Sequence, residues 1–230
     1  MNLSGFFKAE KKKITEIKGL NNKIQYIWDY YKLWVIGIVA FIVVLIYFLT
    51  QLNARNRDYW FYLVLANTME DVGTGSELYK GYTEYAGFDL SEKDVVFNNQ
   101  IYFDYLMNVT GNTYFDTFIV YAEAGTLDAV TMETDSLAAL GQTGRLMNLD
   151  DEAASSLKEK YKDRLIYFET TDEEGNDIEY PVGIDISDSI LMERYSIYAG
   201  SCGIGLGYKS ENIEAVEKFL EYIYAEDDVF

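Results

Sequence analysis

Tyr59-Trp60-Phe61-Tyr62-Leu63-Val64-Leu65-Ala66 is an uncharged run of aromatic and branched residues. A strand with one wet face alternates apolar and polar side chains. A run apolar at every position predicts a strand buried on both faces, the condition of a parallel sheet covered by helices. Downstream, Gly73, Gly75 and Ser76 form a loop, with Ser76 placed to cap a helix that ends near Ala86, before Gly87. Asp94-Val95-Val96-Phe97 opens a second strand. Phe115, Phe118, Ile119 and Ala122 recur at helical spacing between Tyr114 and Ala124, closed by Gly125. Leu127 to Met132 gives a third strand, and Asp135 is placed to cap a helix through Leu140, stopped by Gly141 and Gly144.

This alternation predicts an α/β fold with a mostly parallel sheet flanked by helices. A helix is expected from Asp150 to about Lys162, and a strand near Leu165–Glu169. The turn residues Thr171 to Asn176 then send a hairpin back through Ile178–Ile184. A strand over Gly203–Gly207 leads to a helix from Ser210, with Ile213, Val216, Phe219, Leu220 and Ile223 on one apolar stripe.

Upstream, Leu33 to Leu49 reads LWVIGIVAFIVVLIYFL, without a charge. Seventeen residues rise ~26 Å as a helix, close to the ~30 Å of a hydrocarbon core once Thr50–Leu52 are added. Trp28, Tyr30, Tyr31 and Trp34 lie at one end and Tyr47 near the other, as in an aromatic belt. The run ends in Thr50-Gln51-Leu52-Asn53-Ala54-Arg55 without a small-x-small cleavage site, which predicts an uncleaved anchor. Seven lysines precede the run, while Arg55 and Arg57 follow it closely, so the positive-inside bias puts the N-terminus in the cytoplasm. The expected organisation is a basic cytoplasmic tail (1–32), a transmembrane helix (33–50) in the lipid bilayer of the cell membrane, a linker (51–58) and an acidic extracytoplasmic domain (59–230). Lys11, Lys12 and Lys13 suit anionic lipid, although a topology signal is the simpler reading.

The net charge of −19 is unevenly spread. Up to Arg57 there are nine Lys and Arg against three Asp and Glu; beyond it there are ten against thirty-five. A domain this acidic repels nucleic acid. The chain has no histidine and one cysteine, Cys202. That removes an intrachain disulfide, the usual zinc ligand sets and the histidine-based triads. No cofactor, metal or catalytic residue is expected, and the chain is read as a non-enzyme.

Several motifs invite a function and are read more simply. Gly203-Ile204-Gly205-Leu206-Gly207-Tyr208-Lys209-Ser210 lacks the glycine before lysine that a phosphate loop needs; its glycines suit close approach by a neighbour. Asp172, Glu173, Glu174 and Asp177 lack the alternating order of a calcium loop and read as a hairpin tip. Asp150-Asp151-Glu152 suits a helix start. Asp185 and Asp188 are a chemically permitted acid pair in a chain crowded with carboxylates.

Three stretches resemble bacterial extracytoplasmic solute-binding proteins. Ala122 to Val130 is similar to that family's helix ending in AAGxxPD, with Asp128 matching and Leu127 in place of the proline. Leu137 to Asp150, and Gly205 to Leu220, resemble two further family segments. The resemblance implies one lobe of a periplasmic-binding-protein fold, because about fifty residues between Asp150 and Ser201 are too few for a second. It further implies a module for a small solute or peptide serving a membrane transporter. Ligands of open sheets sit beyond the carboxyl ends of strands, which nominates Asn67 and Thr68, and Glu133, Thr134 and Asp135. Turn and cap roles are the alternative for these five. A non-catalytic interaction or scaffold subunit that has lost its ligand is the second functional reading.

Overall fold

A computed structural model describes residues 15–55, 58–107, 109–171 and 174–225, without the side chains of 27, 29–31, 35 and 49–55. Lys8, Lys11, Lys12, Lys13, Asp172 and Glu173 fall outside it. The chain divides into two compact units at Arg57/Asp58. The first contains helix α1, Leu20–Arg55, 36 residues long, which continues through most of the segment expected to be a linker. Its apolar side chains, among them Leu33, Trp34, Phe41, Val44 and Phe48, are exposed. Among the described residues no helix is long and apolar enough to cross a membrane.

The second unit is built on β1, Tyr59–Leu65. Phe61, Leu63 and Leu65 point into one hydrophobic core, and Tyr62, Val64 and Ala66 into another on the opposite face. That two-sided burial accounts for the continuous apolar run. On the first face lie α2 (Glu77–Ala86), the one-turn α6 (Ile190–Glu193) and α7 (Ile213–Ile223). On the second lie α3 (Thr113–Glu123) and α4 (Thr134–Leu140). Phe61, Tyr82, Phe97 and Phe219 pack with ring centroids 5.3–6.2 Å apart, and the Tyr82 hydroxyl donates to Ala215 O at 2.8 Å. The ends of α2 follow the expected signals, and α3 has a cap of its own. Ser76 accepts from the Tyr79 amide, Gly87 adopts the left-handed conformation, and Asn112 caps α3 through the amides of Tyr114 and Phe115.

The remaining strands are β2 (Asp94–Asn98), β3 (Ala129–Met132), β4 (Leu165–Thr171), β5 (Asp177–Asp185) and β6 (Gly203–Leu206). They form one six-stranded sheet in the order β2-β1-β3-β6-β5-β4. Only β1–β2 and β1–β3 are parallel; β3–β6, β5–β6 and β4–β5 are antiparallel. The mostly parallel sheet expected from the sequence is therefore a mixed one. Double-sided burial makes β6 read like a parallel strand, but an apolar run carries no information about direction. Two helix boundaries also differ. After Asp150 the chain makes a 3-10 turn, Glu152–Ala154, a short α5, Ser155–Lys160, and a second 3-10 turn, Lys162–Arg164. At the end, α7 starts at Ile213, because Ser210 is used elsewhere.

The glycines of β5 and β6 make room for α4. A Cβ on Gly183 or Gly203 would lie 2.7 Å from Leu137 Cδ2, and one on Gly203 also 2.4 Å from Ile166 Cδ1. Leu137 is fully buried in this trough. We predict that Gly203→Ala lowers the unfolding free energy by about 1–3 kcal/mol through overpacking. Gly75→Ala, whose Cβ meets nothing within 4 Å, is the control and stays within about 0.5 kcal/mol. Urea titration of the full chain in detergent measures both.

Candidate functional site at the strand ends

The carboxyl ends of β1 and β3 lie side by side, with Ala66 N donating to Thr131 O at 3.0 Å. Asn67 follows in the left-handed conformation (φ 64°), which asparagine tolerates better than branched residues. Its side-chain amide is spent on the chain itself: Nδ2 donates to Phe103 O at 2.8 Å, and Oδ1 accepts from Phe103 N at 2.9 Å. Thr68 is buried, its hydroxyl donating to Ile197 O at 2.9 Å. The Thr68 carbonyl accepts from the Tyr102 hydroxyl at 3.0 Å. Both residues do the work of a turn.

Glu133 occupies the N-cap position of α4 without a side-chain bond, and Asp135, expected as that cap, lies in the first turn instead. Both are exposed. Thr134 N faces Ser201 Oγ at 3.4 Å, while Thr134 Oγ1 is buried without a partner. The five nominated residues thus divide into a pair locked by the chain and a solvent-facing α4 start. What joins the two groups is the segment 186–202. Its Tyr198 hydroxyl lies 2.9 Å from Ala66 O, 2.8 Å from Thr131 O and 3.0 Å from Thr131 Oγ1, so it seals the ends of β1 and β3. Burial pushes the Tyr198 hydroxyl far above its ordinary pKa, with Cys202 and Glu133 adding to the rise. It stays protonated and donates. Burial likewise holds the Cys202 thiol protonated, its rise reinforced by Asp185, so that thiol is no nucleophile.

The segment is pinned at both ends. Ser187 N and Oγ donate to Asp185 Oδ1 at 2.9 and 2.6 Å, Ser187 Oγ accepts from Cys202 N at 2.9 Å, and Ile186 N donates to Cys202 O at 2.8 Å. Asp188 receives Arg164 through two guanidinium nitrogens at 2.5 and 2.7 Å, and Tyr224 OH at 3.0 Å. The Arg164 bond chiefly holds the Asp188 carboxyl below its usual range. Asp185 and Asp188 are therefore fasteners of this segment. Asp150 pairs with Lys158. No group of three or more His, Cys, Asp or Glu among the described residues could hold a metal ion. Sequence reasoning passed over Tyr198, Ser187 and Phe103 because a loop has no periodicity; Tyr195 and Tyr198 in so polar a stretch were the available signal.

Asp128 is the most deeply buried carboxylate here, 1% exposed. It accepts from Tyr62 N at 2.8 Å, Ser210 Oγ at 2.7 Å and Asn212 Nδ2 at 3.2 and 3.3 Å. Asp128 thus ties β1 and β3 to the approach of α7. Nearby, Glu123 joins Tyr208, Lys209 and Arg145 on the surface.

No family model, curated protein or solved structure matches this chain. Its geometry and chemistry carry the functional reading alone.

Burial raises the Asp128 carboxyl above its ordinary value, against the lowering by its three hydrogen-bond donors. The native chain therefore keeps this proton over a range where the unfolded chain has lost it. The stabilising contribution is full below the unfolded value and declines as pH rises through the native one. Asp128→Asn keeps the shape but turns an N–H2 toward a donor, costing about 1–3 kcal/mol. Because the amide does not titrate, the deficit against wild type is expected to be larger near pH 4 than near pH 7. Urea unfolding across that range measures it; a pH-independent deficit would refute the assignment.

Proposed function

We propose that this chain is a membrane-anchored, non-catalytic interaction module whose α/β domain lies outside the cytoplasm. The single observation that carries the interaction reading is the Tyr198 hydroxyl seated on Ala66 O and Thr131 O. It occupies the strand-end position where a solute would be expected in an open sheet. The residues nominated to hold that solute, Asn67 and Thr68, spend their polar side-chain atoms on the chain itself. The solute-binding resemblance then describes ancestry: its segments fall on α3–β3, α4 with the stretch to Asp150, and β6–α7, all in one lobe.

Beside the sealed mouth, Met69, Leu106, Met107 and Tyr114 are exposed, Met69 at 89%. They share one end of the domain through Tyr102, which bonds Thr68 O and packs on Tyr114 at 5.6 Å. Exposed methionine and tyrosine favour adaptable protein contacts.

The anchor rests on α1. In the sequence its apolar run extends from 33 to 49 without a charge. A helix that is apolar on all sides and exposed needs lipid or another protein around it. The lysines before the run favour the cytoplasm for the N-terminus.

Two measurements test these statements separately. Protease added to intact cells is expected to degrade residues 59–230; protection until lysis would overturn the topology and leave the interaction reading standing. In a thermal-shift screen of the full chain with sugars, amino acids and dipeptides, the midpoint is expected to stay flat. A ligand at a hundredfold excess over Kd would add about 2.7 kcal/mol, and such a shift would restore the solute reading. Tyr198→Phe removes the one proton shared between Ala66 O and Thr131 O, of which Thr131 O keeps the Ala66 amide, and is expected to cost about 1–3 kcal/mol in urea unfolding.

A further inference from the structure

We propose that the free edge of β4 is a docking strand for an extended, lysine- or arginine-bearing segment of another protein. β4 is the last strand of the sheet. Pro181 opposes Tyr167, and its carbonyl accepts the Leu149 amide at 2.8 Å, on the side of β5 away from β4. Opposed residues in an antiparallel pair direct their backbone groups either both toward each other or both away. Tyr167 is therefore turned outward. With it go Glu169 opposite Glu179 and Thr171 opposite Asp177, two and four residues along the same register. Three residues thus offer N–H and C=O groups to the open edge, and none of these groups has a partner among the described residues.

The chemistry of the occupant follows from the side chains on the exposed face of this hairpin. Tyr167, Glu169, Thr171, Asp177 and Glu179 are all exposed. Glu169 and Glu179 stand directly opposite in a pair of the close, non-hydrogen-bonded kind, where like charges oppose strand pairing. No cation answers them: Glu169, Asp177 and Glu179 have no ion-pair or hydrogen-bond partner among the described residues. The same carboxylates disfavour edge-to-edge pairing with a second copy of the chain, since each β4 would bring its own Glu169. An incoming strand with basic side chains on that face gains both the backbone ladder and charge neutralisation. This adds a partner class to the interaction reading, and it is tested without reference to the membrane topology or the strand-end mouth.

The experiment uses the full chain in phosphatidylcholine nanodiscs and three acetylated, amidated octapeptides. One alternates lysine and valine, one has prolines at two central positions of that sequence, and one alternates glutamate and valine. Fluorescence anisotropy is expected to show saturable binding of the lysine–valine peptide alone. Amide exchange at Tyr167, Glu169 and Thr171 should slow at least tenfold in that complex. E169K/E179K should weaken the lysine–valine peptide at least tenfold and let the glutamate–valine peptide bind. E169Q/E179Q, which only removes the repulsion, gives the same loss without the gain. Equal binding of the proline peptide, protection mapping elsewhere, or no saturable binding would each overturn the proposal.

Discussion

The buried Asp128 carboxylate is the constraint around which the domain is arranged. β3 pairs with β1 from Ala129 onward, so the Tyr62 amide one step earlier has no ladder partner there. Asp128 supplies it from a side chain. Its backbone meanwhile donates to Tyr62 O at 3.0 Å and accepts from Gly207 N at 2.9 Å, closing the sheet on both sides of β3. The remaining acceptor capacity takes Ser210 and Asn212, which aim the chain into α7. Burying a carboxylate without water is costly unless its lone pairs are satisfied. Here each oxygen has donors, and the satisfied group fixes three strands and one helix relative to one another.

Much of this was legible in the sequence, for identifiable reasons. β1 announced itself because a strand buried on both faces must be apolar throughout. Ser76, Gly87 and Gly125 mark helix ends through local backbone chemistry, which needs no tertiary knowledge. The crowding of Gly203 by Leu137 was foreshadowed by glycines in an apolar run that lacks the glycine a phosphate loop needs before its lysine. The direction of β6 was not legible, since reversing a buried strand changes none of its side-chain burial. The start of α7 was missed because Ser210, a plausible cap, is claimed by Asp128 from 82 residues away. As for the strand-end residues, Asn67 and Thr68 do lie where the sequence put them, and their side chains bond to the chain itself. Their partners, Phe103 and Ile197, are distant in sequence, and no local pattern records that the pairing exists.

The hairpin of β4 and β5 and the sealed mouth draw on different resources. The mouth is closed by buried, mutually bonded groups, where every polar atom omitted would cost stability. The hairpin face is exposed, so its carboxylates are well hydrated and their repulsion is weak and screened by salt. An acidic surface can be kept there at little expense to folding, whereas the same charges at the strand ends would have to be paired.

The direction of β6 is what finally decides the use of the sheet. Met132 at the end of β3 opposes Gly203 at the start of β6, and Asp185 at the end of β5 opposes that same Gly203. The connection from β5 to β6 therefore begins and ends beside the carboxyl ends of β1 and β3, and Ile197, Tyr198 and Ser201 of residues 186–202 meet those ends. Had β6 run parallel to β3, its approach would have come from the opposite end and left Ala66 O and Thr131 O uncovered by this connection. One reversed strand thus places Tyr198 on those carbonyls. The covering of these strand ends by the chain itself then follows from topology.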